Sequence, residues 1–167
     1  PLDSAISRSD TAAPLDNNAQ HPQSQSSQSS SFPFSENAAI HQISINDLIA
    51  SYCIDASFSI DGGCTNKIGS CAFVGYYDEH VDVQSFRIAN NSTNNGAELK
   101  TLLTVLRLAA AKLRRRILIT TDSMLVAKFM RGTLQIKQKH LLTLVKDITD
   151  LTSEFEAIFV ARIPSHQ

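Results

Sequence analysis

The stretch Ile117-Leu118-Ile119-Thr120-Thr121-Asp122-Ser123 decides how this chain folds. It is apolar, rich in β-branched residues, and stops on a carboxylate, the pattern of a buried strand that delivers an acid to the rim of a sheet. Just before it, Leu99, Leu102, Leu103, Leu106, Ala110 and Leu113 recur at helical spacing. That periodicity predicts one apolar stripe on a helix from Asn95 to Arg114. Glu98 falls in its first turn, four residues before Leu102 and on the same side, so it points towards the sheet. Lys112, Arg114, Arg115 and Arg116 follow at the far end, where cations suit the helix dipole.

Working outward, the segment after Asp122 reads as a helix from Ser123 to Arg131, a break at Gly132, a helix from Lys139 to Leu151 and a strand from Ala157 to Ile163. Upstream, Tyr52 to Ile60 alternates like a strand and carries Asp55, and Asp61-Gly62-Gly63 is a turn signal. Ile68 to Tyr77 and Val81 to Ile88 are two further strands joined by a tight turn at Asp78-Glu79-His80. Ile43, Ile45, Leu48 and Ile49 fit a short lead-in strand or a turn of helix equally well. The order βββαβααβ predicts an α/β fold: a five-stranded mixed sheet, an antiparallel meander then parallel strands, flanked by helices. Right-handed crossovers would bring the strand of Asp122 beside that of Asp55.

Length and composition bound the function. The chain of 167 residues suffices for one domain, and residues 1–39, rich in Ser, Gln, Asn and Pro, read as a disordered tail or linker. The folded part is then 40–167. A formal net charge of −1 does not announce a nucleic-acid binder by bulk electrostatics, although from Ile40 onward fourteen basic residues face twelve acidic ones. Any basic footprint must be local. Three cysteines, Cys53, Cys64 and Cys71, without metal-ligand spacing, fit a reduced intracellular setting, nuclear or cytoplasmic, with Cys53 and Cys71 as small buried hydrophobes. No apolar run approaches the roughly 20 residues of a membrane span. The chain begins with Pro1 and is expected to be a piece of something longer.

Three acids, Asp55, Glu98 and Asp122, are therefore candidates to meet at one place. Each has a structural alternative. Glu98 could close a capping box on Asn95, and Asp122 could cap the following helix. Asp55, inside an apolar strand, is costly to bury unless it is paired or binds a cation. Clustered carboxylates repel and call for a hard divalent cation, and two such ions can clamp the oxygens of a phosphoryl displacement. This reading requires the carboxyl groups of Asp55 and Asp122 to converge.

Asp55-Ala56-Ser57 on a first strand, Thr93-Asn94-Asn95-Gly96-Ala97-Glu98-Leu99 opening the long helix, and Thr121-Asp122-Ser123 ending the fourth strand together resemble the ribonuclease H family. The closing Ile163-Pro164-Ser165-His166-Gln167 is similar to the His-bearing loop of retroelement-type members. The resemblance implies a ribonuclease H-like domain over residues 40–167 that cuts the RNA strand of RNA–DNA hybrids with Mg²⁺ or Mn²⁺, two ions in the complete domain. By position it implies Asp55, Glu98 and Asp122 as metal-binding catalytic acids and His166 as the loop histidine of catalysis or product release. Ser57, Asn94, Asn95 and Ser123 would lie near the bound strands. The family's fourth acid sits on a helix beyond the loop histidine, so the domain is expected to lack its C-terminal helix. The implied partners are the hybrid and a reverse transcriptase domain of the same parent polyprotein, with no membrane. The alternative is a ribonuclease H-like module that has lost catalysis and binds nucleic acid or connects domains. Lys137, Lys139 and His140 are candidates for contacts to the hybrid's DNA phosphates, against a solvated helix start.

Overall fold

The computed structural model describes residues 45–88 and 92–164. The expected tail, residues 1–39, and His166 lie outside them. The ambiguous lead-in is a helix, α1 (Ile45–Tyr52). It stops at Cys53, whose φ of 51° is the left-handed conformation that ends helices. Tyr52 thus belongs to a helix rather than to the first strand. Cys53, expected to be buried, is exposed, because the helix end turns it outward, whereas Cys71 is buried as expected.

The first strand, β1 (Ala56–Thr65), buries Ala56, Phe58 and Ile60 and then continues straight through Asp61-Gly62-Gly63. The expected turn is not there. The chain reverses instead at Asn66-Lys67, both at positive φ (52° and 64°), the backbone a two-residue hairpin demands. Gly62 stays in the strand for another reason: a Cβ there would lie 2.5 Å from the amide nitrogen of Glu98. A glycine inside a strand marks close approach of another backbone as well as a turn. β2 (Ile68–Tyr77) turns at Asp78-Glu79, also both at positive φ, into β3 (His80–Ile88).

The long helix, α2 (Asn94–Ala111), forms as its stripe predicts, burying Leu99, Leu102, Leu103, Val105, Leu106 and Ala109. Its N-cap is Thr93, whose hydroxyl accepts from the Gly96 amide at 3.1 Å. Then come β4 (Arg116–Thr121), α3 (Met124–Met130), a 3₁₀ turn at Lys139–Leu141, α4 (Leu142–Thr152) and β5 (Ala157–Arg162). The sheet runs β3-β2-β1-β4-β5, with β1, β2 and β3 antiparallel and β1, β4 and β5 parallel, the expected mixed architecture. One core joins the α2, α3 and α4 side chains to Phe58, Ile60, Phe73, Ile117, Ile119, Ile158 and Val160 on one face of the sheet. Truncating a core leucine such as Leu106 to alanine would cost about 2–5 kcal/mol.

The run Arg114-Arg115-Arg116 is consumed by this architecture. Arg114 pairs with Asp78 at the β2–β3 turn, and Arg115 donates to the Glu154 carbonyl. Arg116 donates through Nε to the Tyr52 carbonyl at 2.9 Å. Among the described residues no helix is long and apolar enough to cross a membrane.

Candidate active site

Parallel strands end at the same edge, and here that edge collects acids. The last paired positions of β1 and β4 are Ile60 and Thr121. The next residue on each is an aspartate, Asp61 and Asp122, on main chains roughly 4.8 Å apart. The first turn of α2 reaches the same rim because Gly62 has no side chain to hold it off. Thr101 ties the two together, its hydroxyl lying 3.2 Å from the Asp61 carbonyl and 2.9 Å from that of Ala97. Glu98 is thereby delivered beside both aspartates.

Electrostatics agree with that placement. The Glu98 carboxyl is pushed above the ordinary glutamate range, first by burial and then by the negative fields of Asp122 and Asp61; a hydrogen bond from the Ser123 hydroxyl opposes the rise. Ser123 has two duties. Its Oγ accepts from the Val126 amide at 3.2 Å as N-cap of α3, and its proton goes to the Glu98 carboxylate. One hydroxyl can do both. Neither structural alternative for the acids applies: Thr93 rather than Asn95 caps α2, and Ser123 rather than Asp122 caps α3.

Asp55 is not in this group. It precedes β1, and its amide donates to the Arg116 carbonyl at the opposite end of the β1–β4 pair. Its carboxylate accepts from the Arg115 amide at 2.9 Å and the Arg116 amide at 3.3 Å. The expected convergence of Asp55 with Asp122 therefore fails, since in parallel strands one sits at the start and the other at the end. Ser57 lies at that far end too, lining with Asp55 and Tyr76 a cavity of about 310 Å³ away from the acids. Asn94 and Asn95 occupy the first turn of α2, the former exposed and the latter half-buried, and Ser123 is buried at the rim. Lys137, Lys139 and His140 are exposed on the segment whose Leu141 packs near Gly96 of that turn.

Asp61 is the residue that sequence reasoning missed. The signal was present: Phe58 and Ile60 alternate with Ser57 and Ser59, and the same alternation runs on to Asp61 if the glycines are read as strand. Among the described residues no three His, Cys, Asp or Glu side chains converge tightly enough to form a ready cation cage. In kind, however, Asp61, Glu98 and Asp122 fit a hard divalent ion. All offer oxygen donors, and a carboxyl raised by burial and then by the fields of Asp122 and Asp61 is one that a cation would hold in its charged form.

The profile of the reverse transcriptase-like family matches residues 61–166, starting on Asp61 and leaving Asp55 outside. Among solved structures, the chain is similar to the N-terminal ribonuclease H domain of Rv2228c from Mycobacterium tuberculosis, solved as a fusion with maltose-binding protein. That match has 26% identity and a TM-score of 0.61, covering 66% of this chain and 83% of that one. Ribonuclease H1 of the halophilic archaeon Halobacterium salinarum matches at 22% identity and TM-score 0.59, covering 65% and 85%. LC11 ribonuclease H1 in complex with an RNA/DNA hybrid matches at 20% and 0.58, with the same coverage. At those identities the last two speak to the fold alone. No curated protein sequence matches the chain.

Proposed function

Since the chain belongs to the reverse transcriptase-like family, with its ribonuclease H-like fold, we propose that it is an endonuclease hydrolysing the RNA strand of RNA–DNA hybrids. The observation that carries this reading is the meeting of Asp61, Glu98 and Asp122 at one rim, with Asp61 taking the place first given to Asp55. Mg²⁺ or Mn²⁺, two ions in the complete domain, would be held by these three carboxylates and when bound would supply charge stabilisation at the phosphate and a more acidic attacking water. Ser123 orients Glu98 through its hydrogen bond. Asn94 and Asn95, on the turn that carries Glu98, meet the strand being cut, where the 2′-OH and hybrid shape distinguish RNA from DNA. Lys137, Lys139 and His140 face the phosphates of the DNA strand, and His166 serves turnover. A reverse transcriptase domain in the same parent polyprotein is the partner this activity suits.

The test is a cleavage panel of labelled RNA–DNA hybrid, duplex DNA and duplex RNA with Mg²⁺ or Mn²⁺, run beside thermal melts with and without metal. Hybrid-selective cutting together with a metal-dependent rise in melting temperature supports the proposal, since a ligand of the folded state stabilises it by mass action. Hybrid binding with no cleavage and no response to metal would instead identify a module that has lost catalysis. The same panel in rising salt, repeated with Lys137→Glu and Lys139→Glu, should show weaker hybrid binding; unchanged binding would remove those lysines from the interface.

A further inference from the structure

β5 ends on Arg162, opposite Thr121 of β4 in the parallel register. The pairing runs one residue further, with the Ile163 amide donating to the Thr121 carbonyl at 2.8 Å. Arg162 is thus carried at the same edge as Asp122. Its Nε donates to the main-chain carbonyl of Asp122 at 3.3 Å, and the side chain is half-buried. A guanidinium has five N–H donors in a fixed fork, and Nε uses one of them. Among the described residues the two terminal nitrogens of Arg162 take no hydrogen bond and no carboxylate, although Asp122 is at hand. Of the other described arginines, Arg107 and Arg114 are committed to carboxylates and Arg115, Arg116 and Arg131 to carbonyls, while Arg87 is exposed on β3, two strands away from β1 in the sheet.

We propose that Arg162 is a phosphate-binding residue, its Nε anchored on the Asp122 carbonyl so that its terminal fork holds a backbone phosphate of bound nucleic acid beside the acids. The inference rests on the nucleic-acid reading of this rim and adds to it. A rim of three carboxylates repels a polyanion, so a permanent cation there brings a phosphate to an edge that otherwise excludes it. The planar fork grips two phosphate oxygens at once, a geometry lysine cannot copy. Anchoring through Nε limits the freedom lost on binding.

The experiment measures binding of a labelled RNA–DNA hybrid by fluorescence anisotropy, in EDTA to exclude cleavage and bound metal, across a series of salt concentrations. Arg162→Gln should weaken binding about tenfold, or about 1.4 kcal/mol, and flatten the log–log salt dependence by about one phosphate's worth. Arg162→Lys should restore the slope and only part of the affinity. Melting curves report folding of each variant. Equal affinity and slope for Arg162→Gln and the parent would overturn the assignment, as would a fall in melting temperature and affinity with the slope intact, which marks a structural role only. Stabilisation by inorganic phosphate that depends on Arg162 without any change in hybrid slope would point to a free anion and equally overturn it. A parent chain that binds no nucleic acid would bring down the functional reading and this inference together, whereas a parent that binds and a Gln variant that matches it would bring down this inference alone.

Discussion

At one end of the β1–β4 pair the Asp55 carboxylate accepts from the amides of Arg115 and Arg116. At the other the Glu98 carboxyl is driven upward in pKa, first by burial and then by the fields of Asp122 and Asp61. The contrast separates a carboxylate whose charge the fold already satisfies from carboxylates whose charge the fold leaves in surplus. Backbone N–H groups stabilise an acid where it stands, so Asp55 fixes the start of β1 against the start of β4. A carboxylate half-buried beside two like charges, held there by Gly62, Thr101 and Ser123, is costly to ionise until something positive arrives. That cost identifies the second end as the one built for a ligand.

The largest effect should come from exchanging charge for amide at each end. Asp61→Asn and Asp122→Asn are expected to cut hybrid cleavage by at least about a hundredfold, some 2.7 kcal/mol of barrier. Asp55→Asn is expected to keep the cleavage rate and to lose about 1 kcal/mol of stability, the worth of the hydrogen bonds it weakens. Steady-state cleavage beside thermal melting reads both. Loss of activity in folded Asp55→Asn with Asp61→Asn unaffected would invert the comparison. A smaller effect should follow from the glycine that lets the acids meet. An alanine at Gly62 places its Cβ 2.5 Å from the Glu98 nitrogen and 2.7 Å from the Ala97 carbonyl carbon, while at Gly63 the nearest neighbour is the Ser70 hydroxyl at 3.5 Å. Gly62→Ala should therefore cost about 1–3 kcal/mol and lower cleavage, and Gly63→Ala should be close to silent in both assays. Equal melting temperatures for the two would mean that α2 does not depend on Gly62 for its seat.

The same two ends show what could be read from the sequence. The stripe from Leu99 to Leu106 and the run Ile117 to Thr121 are long periodic signals set by burial, and they give α2, β4 and the sheet order directly. The start and end of β1 are local decisions, and there periodicity alone misplaces both ends. Tyr52 alternates with the strand but closes α1, and Gly62-Gly63 reads as a turn although Asn66-Lys67 makes it. A glycine pair looks the same whether it serves positive φ or the approach of a helix 36 residues away in sequence; only the packing of Glu98 against Gly62 tells them apart. A β1 that ends at Ile60 excludes Asp61 and leaves Asp55 as the strand's acid. Glu98 and Asp122 were legible because each stands next to a long periodic element.

The smallest effect, and the most direct probe of surplus charge, is the pH dependence of stability at Glu98. Its carboxyl is raised above the ordinary glutamate value of 4.5 in the folded chain, so between that value and the raised one the folded state binds more protons than the unfolded state. The stabilising contribution of the protonated form is complete below the unfolded value and is lost as pH rises through the folded one. Stability of the parent chain should accordingly decline with rising pH across the window just above 4.5. Glu98→Gln removes the titrating group, so this part of the decline should vanish and the variant should be the more stable of the two at neutral pH without metal. Denaturant unfolding at a series of pH values measures the difference. Saturating Mg²⁺ should then close the gap by stabilising the parent and not the variant, because the ion offsets the charge that burial, and after it Asp122 and Asp61, make costly at Glu98. A parent stability flat across that window, or a variant that is less stable at neutral pH, would show that the Ser123 hydrogen bond already offsets both burial and repulsion at Glu98 and that the two ends of the sheet are alike.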